Sequence, residues 1–214
     1  MRIIAVKNIT AVDLAAADTA EADSSVVMTA GAVASGDILF WERWSRRGAD
    51  PIESMQEYYR QMRVYQCSIG IIERNRFEYL QKTMKRLGST GLFGDAVDAA
   101  RIRARTHTVT HGTDKRERIT SGLAGMLRAH KLWFPDDWDD VRNFLLLYPA
   151  VDHDDLGDCM EMIVAHATAP RTTFIERISG KLGRRRSDAP DGPADITSIL
   201  AKRKYNIFSG VAHE

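Results

Sequence analysis

The chain has 214 residues, 44% of them hydrophobic and 28% charged, with a formal net charge of +1. That is enough apolar matter for one sizeable core, and too even a charge balance for the molecule to act as a polycation or polyanion throughout. Cys67 and Cys159 lack CxxC spacing and paired histidines, which argues against structural zinc and fits a reducing compartment. No run approaches the ~20 apolar residues of a membrane span, and MRIIAVKN lacks the apolar region of a signal peptide, so no membrane partner is expected.

Residues 9–15 read as a first strand and residues 16–23 as a small, polar turn. Residues 24–33 and 37–45 read as two further strands joined at Ser35-Gly36, which makes an antiparallel meander. Asp50 is a natural N-cap and Pro51 a natural first helical residue, and Ile52, Met55, Tyr59 and Met62 give a helix over 51–66. CSIGII, 67–72, is short, apolar and β-branched between helical segments, the pattern of a buried parallel strand that Glu73 ends. Phe77, Leu80, Met84 and Leu87 align along a helix over 75–87, closed by Gly88.

Residues 88–103 are Gly-rich and resist assignment. Residues 104–110 read as a strand and 114–130 as a helix with a basic first turn, followed by the short apolar LWFP. Two more helices are expected over 137–148 and 155–168. Residues 179–195 read as mobile, and ITSILAKRKYNIF as a short helix or strand. Meander first, then alternating helices and strands, predicts an α/β fold with a mixed sheet and helices on both faces.

Charge is unevenly placed along this frame. Arg74 to Lys131 holds 13 Lys/Arg against 5 Asp/Glu, Leu132 to Glu161 holds 1 against 9, and Arg171 to Glu214 holds 9 against 5. A basic middle beside an acidic cluster provides one surface for phosphates and one pocket for cations, with chance clustering on a solvated surface as the alternative. The acids sit at informative places. Asp13 in ITAVDLA and Glu73 in SIGIIERN end apolar runs, while Asp154, Asp155 and Asp158 cluster in VDHDDLGD. Carboxylates converging from distant segments suit Mg²⁺ or Mn²⁺, and the chemistry they support is phosphodiester hydrolysis by two metals.

The layout resembles the ribonuclease H-like fold, and more narrowly the nuclease domain of the large terminase subunit of tailed bacteriophages. The matching stretches are VDLAAADTAEADSSVV, IIERN, and GTDKRERI followed by LWFP, LLLYP and DHDDLGDCM, in the family's order over roughly residues 9–168. The resemblance implies a nuclease domain over 1–170, with a mixed central sheet of a three-strand antiparallel meander plus parallel strands flanked by helices. A basic, partly flexible extension over 171–214 follows. It implies catalytic metal ligands at Asp13, Glu73 and Asp155, the last favoured over Asp154. Asp158 and Asp23 are additional candidate ligands, and Asp18 is a weaker one.

The implied activity is two-metal endonucleolytic cleavage of concatemeric double-stranded DNA during genome packaging. The implied partners are DNA, a packaging ATPase domain, the small terminase subunit and the portal, in the cytoplasm of an infected bacterial host. No GxxxxGK[ST] loop is present, since GKLGRRR lacks the preceding strand and the following Ser/Thr. The chain is then expected to be either an excised domain, which Met1 close before the first strand favours, or a stand-alone nuclease. A junction resolvase-type nuclease or a non-catalytic DNA-binding module are the alternatives.

Each residue also has a plainer reading. Asp13 can be a surface carboxylate, Glu73 a helix-dipole partner, and Asp154 and Asp155 helix caps. Lys115, Arg116 and Arg118 either pair locally with Asp114 and Glu117 or grip the DNA backbone, with Arg103 and Arg105 as further DNA contacts. His153 reads as structural, Arg184, Arg185 and Arg186 as a solvated tail, and Trp41, Trp44, Trp133 and Trp138 as core or half-buried.

Overall fold

A computed structural model describes residues 5–15, 24–73, 91, 93–110, 112, 114–151, 154–168 and 205–207. Strands β1 (Ala5–Asp13), β2 (Ser24–Val33) and β3 (Ile38–Arg47) form the expected meander. Helix α1 (Pro51–Val64) follows, with Asp50 accepting from the Ile52 amide at 2.7 Å. Strand β4 (Ile69–Glu73) lies parallel to β1, pairing Ile9 with Ile69 and Val12 with Ile72. Next come α2 (Ala96–Arg105), β5 (Thr106–Val109), α3 (Lys115–Arg128), β6 (Leu132–Pro135), α4 (Asp139–Leu147) and α5 (Asp155–Thr168). Strand β7 (Tyr205–Ile207) closes the order β5-β4-β1-β2-β3-β6-β7, in which β4–β5 and β3–β6 are parallel and β6–β7 antiparallel.

The fold is therefore mixed α/β: an antiparallel meander extended by parallel strands and covered by helices on both faces, a layout consistent with the ribonuclease H-like one. The side chains of a strand alternate between faces, so each face has its own core. Ile9, Ala11, Val26, Met28, Phe40, Ile69 and Ile71 pack with α3, α4 and α5. Val12, Val27, Leu39, Trp41 and Ile72 pack with α1 and α2. Gly70 sets how closely α1 approaches β4, because a Cβ there would lie 1.7 Å from the Tyr58 hydroxyl. Trp41 and Trp138 are buried, while Trp44 and Trp133 are half-buried against the α1–α2 core.

Several boundaries moved for local reasons. The stretch that resisted assignment holds α2, whose N-cap Asp95 accepts from the Val97 and Asp98 amides at 2.8 and 2.9 Å. That helix runs through Arg105, so the strand expected from residue 104 starts at Thr106. Helix α4 starts at Asp139 because Trp138 is held among Phe40 and Phe134. The expected helix over 75–87, the turn over 16–23, the mobile stretch over 179–195 and Arg184, Arg185 and Arg186 lie outside the described residues.

Candidate functional site

Parity along the strands aims the acids. Asp13 shares the face of Ile9 and Ala11, and Glu73 that of Ile69 and Ile71, so both carboxylates project toward the layer formed by α3, α4 and α5. Strands β1 and β4 are adjacent and parallel, and these are their last residues. Val26 of β2 pairs across from Asp13, and the neighbouring Ser24 amide donates to Asp155 Oδ2 at 3.1 Å. Asp155 is the first residue of α5, so one hydrogen bond ties that helix's start to the strand end beside Asp13. The positive end of the α5 dipole favours the acids of its first turn, Asp155 and Asp158.

The electrostatics agree with the topology. Burial, foremost, and then Asp158, Asp155 and Glu73 raise the Asp13 carboxyl well above the usual carboxylate range, with Lys115 only partly offsetting them. Beneath, the Cys159 thiol donates to the Val26 carbonyl at 3.4 Å. It too is pushed up, by burial first and then by Asp13, Asp158 and Asp155. The pocket is thus a concentrated negative field made of hard oxygen donors, the chemistry that suits Mg²⁺ or Mn²⁺. Among the described residues, no group of three or more His, Cys, Asp or Glu side chains closes into a cation cage.

The other predicted residues divide by position. Lys115 Nζ lies 2.5 Å from Asp154 Oδ1 and 2.5 Å from Asp158 Oδ2. Arg118 reaches Asp158 Oδ1 and Glu161 Oε2, both at 2.5 Å, and its side chain is 11% exposed. Arg118 is thus held against α5, while Lys115 pairs with Asp154 and Asp158 with its side chain still 43% exposed. Their partners are not the local Asp114 and Glu117: Asp114 caps α3 by accepting from the Glu117 amide at 3.0 Å. Arg116, between them in sequence, is exposed.

Arg105 donates to the Cys67 carbonyl at 3.3 Å, just before β4 begins. It is at the opposite end of that strand from Glu73, roughly 10 Å or more away by strand rise. Arg103 lies beside Tyr59 of α1, where burial raises the phenol and Arg103 pulls against it, so it belongs to the other face of the sheet. Neither is brought to the acidic pocket. Asp18, Asp23 and His153 lie outside the described residues.

Three participants were missed from sequence: Ser24 as the backbone tether of Asp155, Cys159 beneath Asp13, and Glu161 as the second partner of Arg118. Glu161 alone carried a signal, standing three residues after Asp158 on the same helical face. No family model matches the chain, and no curated protein matches it. Among the described residues no helix is long and apolar enough to cross a membrane.

Proposed function

We propose that the chain is a Mg²⁺- or Mn²⁺-dependent endonuclease, the nuclease domain of a phage DNA-packaging terminase that cuts concatemeric double-stranded DNA. The observation that carries this reading is the shared end of β1 and β4. Asp13 and Glu73 leave adjacent parallel strands on one face, and Asp155 is tied beside them through Ser24. Ligands at the carboxyl ends of parallel strands are where an open α/β sheet builds its site.

Asp13, Glu73 and Asp155 would hold the metal, which when bound supplies an activated water and neutralises the leaving 3′ oxygen. The chain's own part is to present these carboxylates from rigid elements. Asp13 and Glu73 are fixed by a paired sheet, and Asp155 by the Ser24 amide and its helix. Desolvation and mutual repulsion make an ionised Asp13 costly alone, so its charge is best stabilised by a cation. Arg116, exposed on the first turn of α3, would hold a DNA phosphate without reading sequence. A cutter with little sequence preference suits a setting in which a packaging motor sets the cut. The expected partners are therefore a packaging ATPase domain, the small terminase subunit and the portal, in the infected bacterial cytoplasm.

Incubation of the protein with supercoiled plasmid tests this. Cleavage should require Mn²⁺ or Mg²⁺ and stop in EDTA, and Asp13→Asn should lower it on the order of a thousandfold. Cutting that survives EDTA or Asp13→Asn rules the metal mechanism out. A strong preference for branched over linear duplex would point to a junction resolvase, and duplex binding without cutting to a binding module.

A further inference from the structure

The acidic pocket has a second half. Asp158 and Glu161 line the face of α5 that α3 covers, Asp154 stands just before that helix, and the cations that meet them are Lys115 and Arg118. The spacing of these cations is three residues, which places both on one face of α3. Asp114 caps that helix and so fixes the turn from which Lys115 leaves.

Asp158 is 6% exposed, and each of its oxygens already meets a cation of its own chain: Oδ2 meets Lys115 and Oδ1 meets Arg118. Asp154 gives Oδ1 to the same ammonium. Lysine's head group is a compact point charge with three donors, which is what two converging carboxylates need. The oxygens that a second divalent ion would use are thus occupied by side chains, whereas those of Asp13 and Glu73 face the pocket from the strand ends.

We infer that Lys115 stands in for a second divalent cation: its ammonium closes the Asp154/Asp158 half of the pocket, and the centre loads a single divalent ion on Asp13, Glu73 and Asp155. The inference rests on the proposal that these three acids hold metal, and it replaces the pair of ions expected from sequence with one ion and one ammonium. Asp158 is an anchor for Lys115 and Arg118, not a ligand.

Mn²⁺ binding to the full chain, followed by the electron paramagnetic resonance signal of the free ion, decides it. The wild-type protein should bind a single Mn²⁺. Lys115→Met should gain a second bound ion, or bind the first at least about tenfold more tightly, because a unit charge a few ångströms away has been removed. Lys115→Arg, which keeps the charge, should retain the wild-type count.

Asp154→Asn supplies a test independent of how Lys115→Met folds. Asp154 is on the rim, and its loss should leave the Mn²⁺ count at one. A wild-type chain that binds two ions overturns the assignment, as does a Lys115→Met protein that binds Mn²⁺ as the wild type does, or an Asp154→Asn protein that loses an ion. In each of those cases the nuclease reading stands. Folded wild-type protein that binds no Mn²⁺ and cuts nothing removes both.

Discussion

The two halves of the acidic pocket use the same carboxylate chemistry to opposite ends. On the face between α3 and α5, Asp154, Asp158 and Glu161 are met by Lys115 and Arg118, and the pairs join two helices. At the strand ends, Asp13 is surrounded mainly by like charge, and its carboxyl is raised by burial and by Asp158, Asp155 and Glu73. A fold has no structural use for a partly buried acid that repels its neighbours. Such a group costs stability unless a counter-charge offsets it. The contrast separates acids paired with cations of the chain from acids that, on the proposed function, would meet a metal ion.

The sharpest way to break the comparison is to remove the cation that makes the helix half structural. Arg118→Met keeps the apolar stem but strips Asp158 and Glu161 of a shared partner that is 11% exposed. Leaving buried Glu161 without its cation, and Asp158 with Lys115 alone, should destabilise the fold by about 3 kcal/mol, a fall in Tm of roughly 6–12 °C by calorimetry. A loss under about 1 kcal/mol would place Arg118 with ordinary surface ion pairs, and the two halves would no longer differ in kind.

Removing charge at the strand end should do the reverse. In EDTA, Asp13→Asn should raise Tm by about 2–4 °C, the gain expected when a repelled site carboxylate is neutralised. The pH dependence has a definite sign. The folded carboxyl titrates above its unfolded value, so between the two the folded state binds the extra proton. Wild-type stability therefore falls as pH rises from about 4 through the raised folded value, while Asp13→Asn lacks that fall. The gap between the two should widen with pH and close when Mn²⁺ is added to the wild type. A gap that ignores pH and metal would show that Asp13 is an ordinary strand-end acid.

The two halves were not equally legible in the sequence. Asp13 and Glu73 end apolar runs of period two or continuous burial, and a strand's alternation carries local spacing directly into facing direction. Asp50 as N-cap, the meander and the start of α5 at Asp155 were legible for the same reason, since caps and periodicity are local. The helix half was not. Lys115 and Arg118 have acids beside them in sequence, yet the structure spends Asp114 on capping and joins the cations to acids about forty residues away. Pairing across packed helices depends on how α3 crosses α5, which no local pattern encodes. Arg105 shows the same limit: its charge was legible, but neither the helix it ends, read as the start of a strand, nor which end of β4 it would meet.

That placement of the arginines gives the smallest effect and the finest distinction. Arg116 is exposed on the first turn of α3, beside the pocket, while Arg105 is bound to the Cys67 carbonyl at the far end of β4. If DNA lies over the strand ends, Arg116→Ala should weaken duplex binding evenly across sequences and lower the slope of log K against log salt by about 0.9, read by fluorescence anisotropy. Arg105→Ala should leave that slope unchanged, although it removes the same formal charge. Equal effects from the two would mean that the duplex responds to total charge alone. A larger effect from Arg105 would move the DNA track to the end of the sheet opposite Glu73 and leave the acids without a substrate.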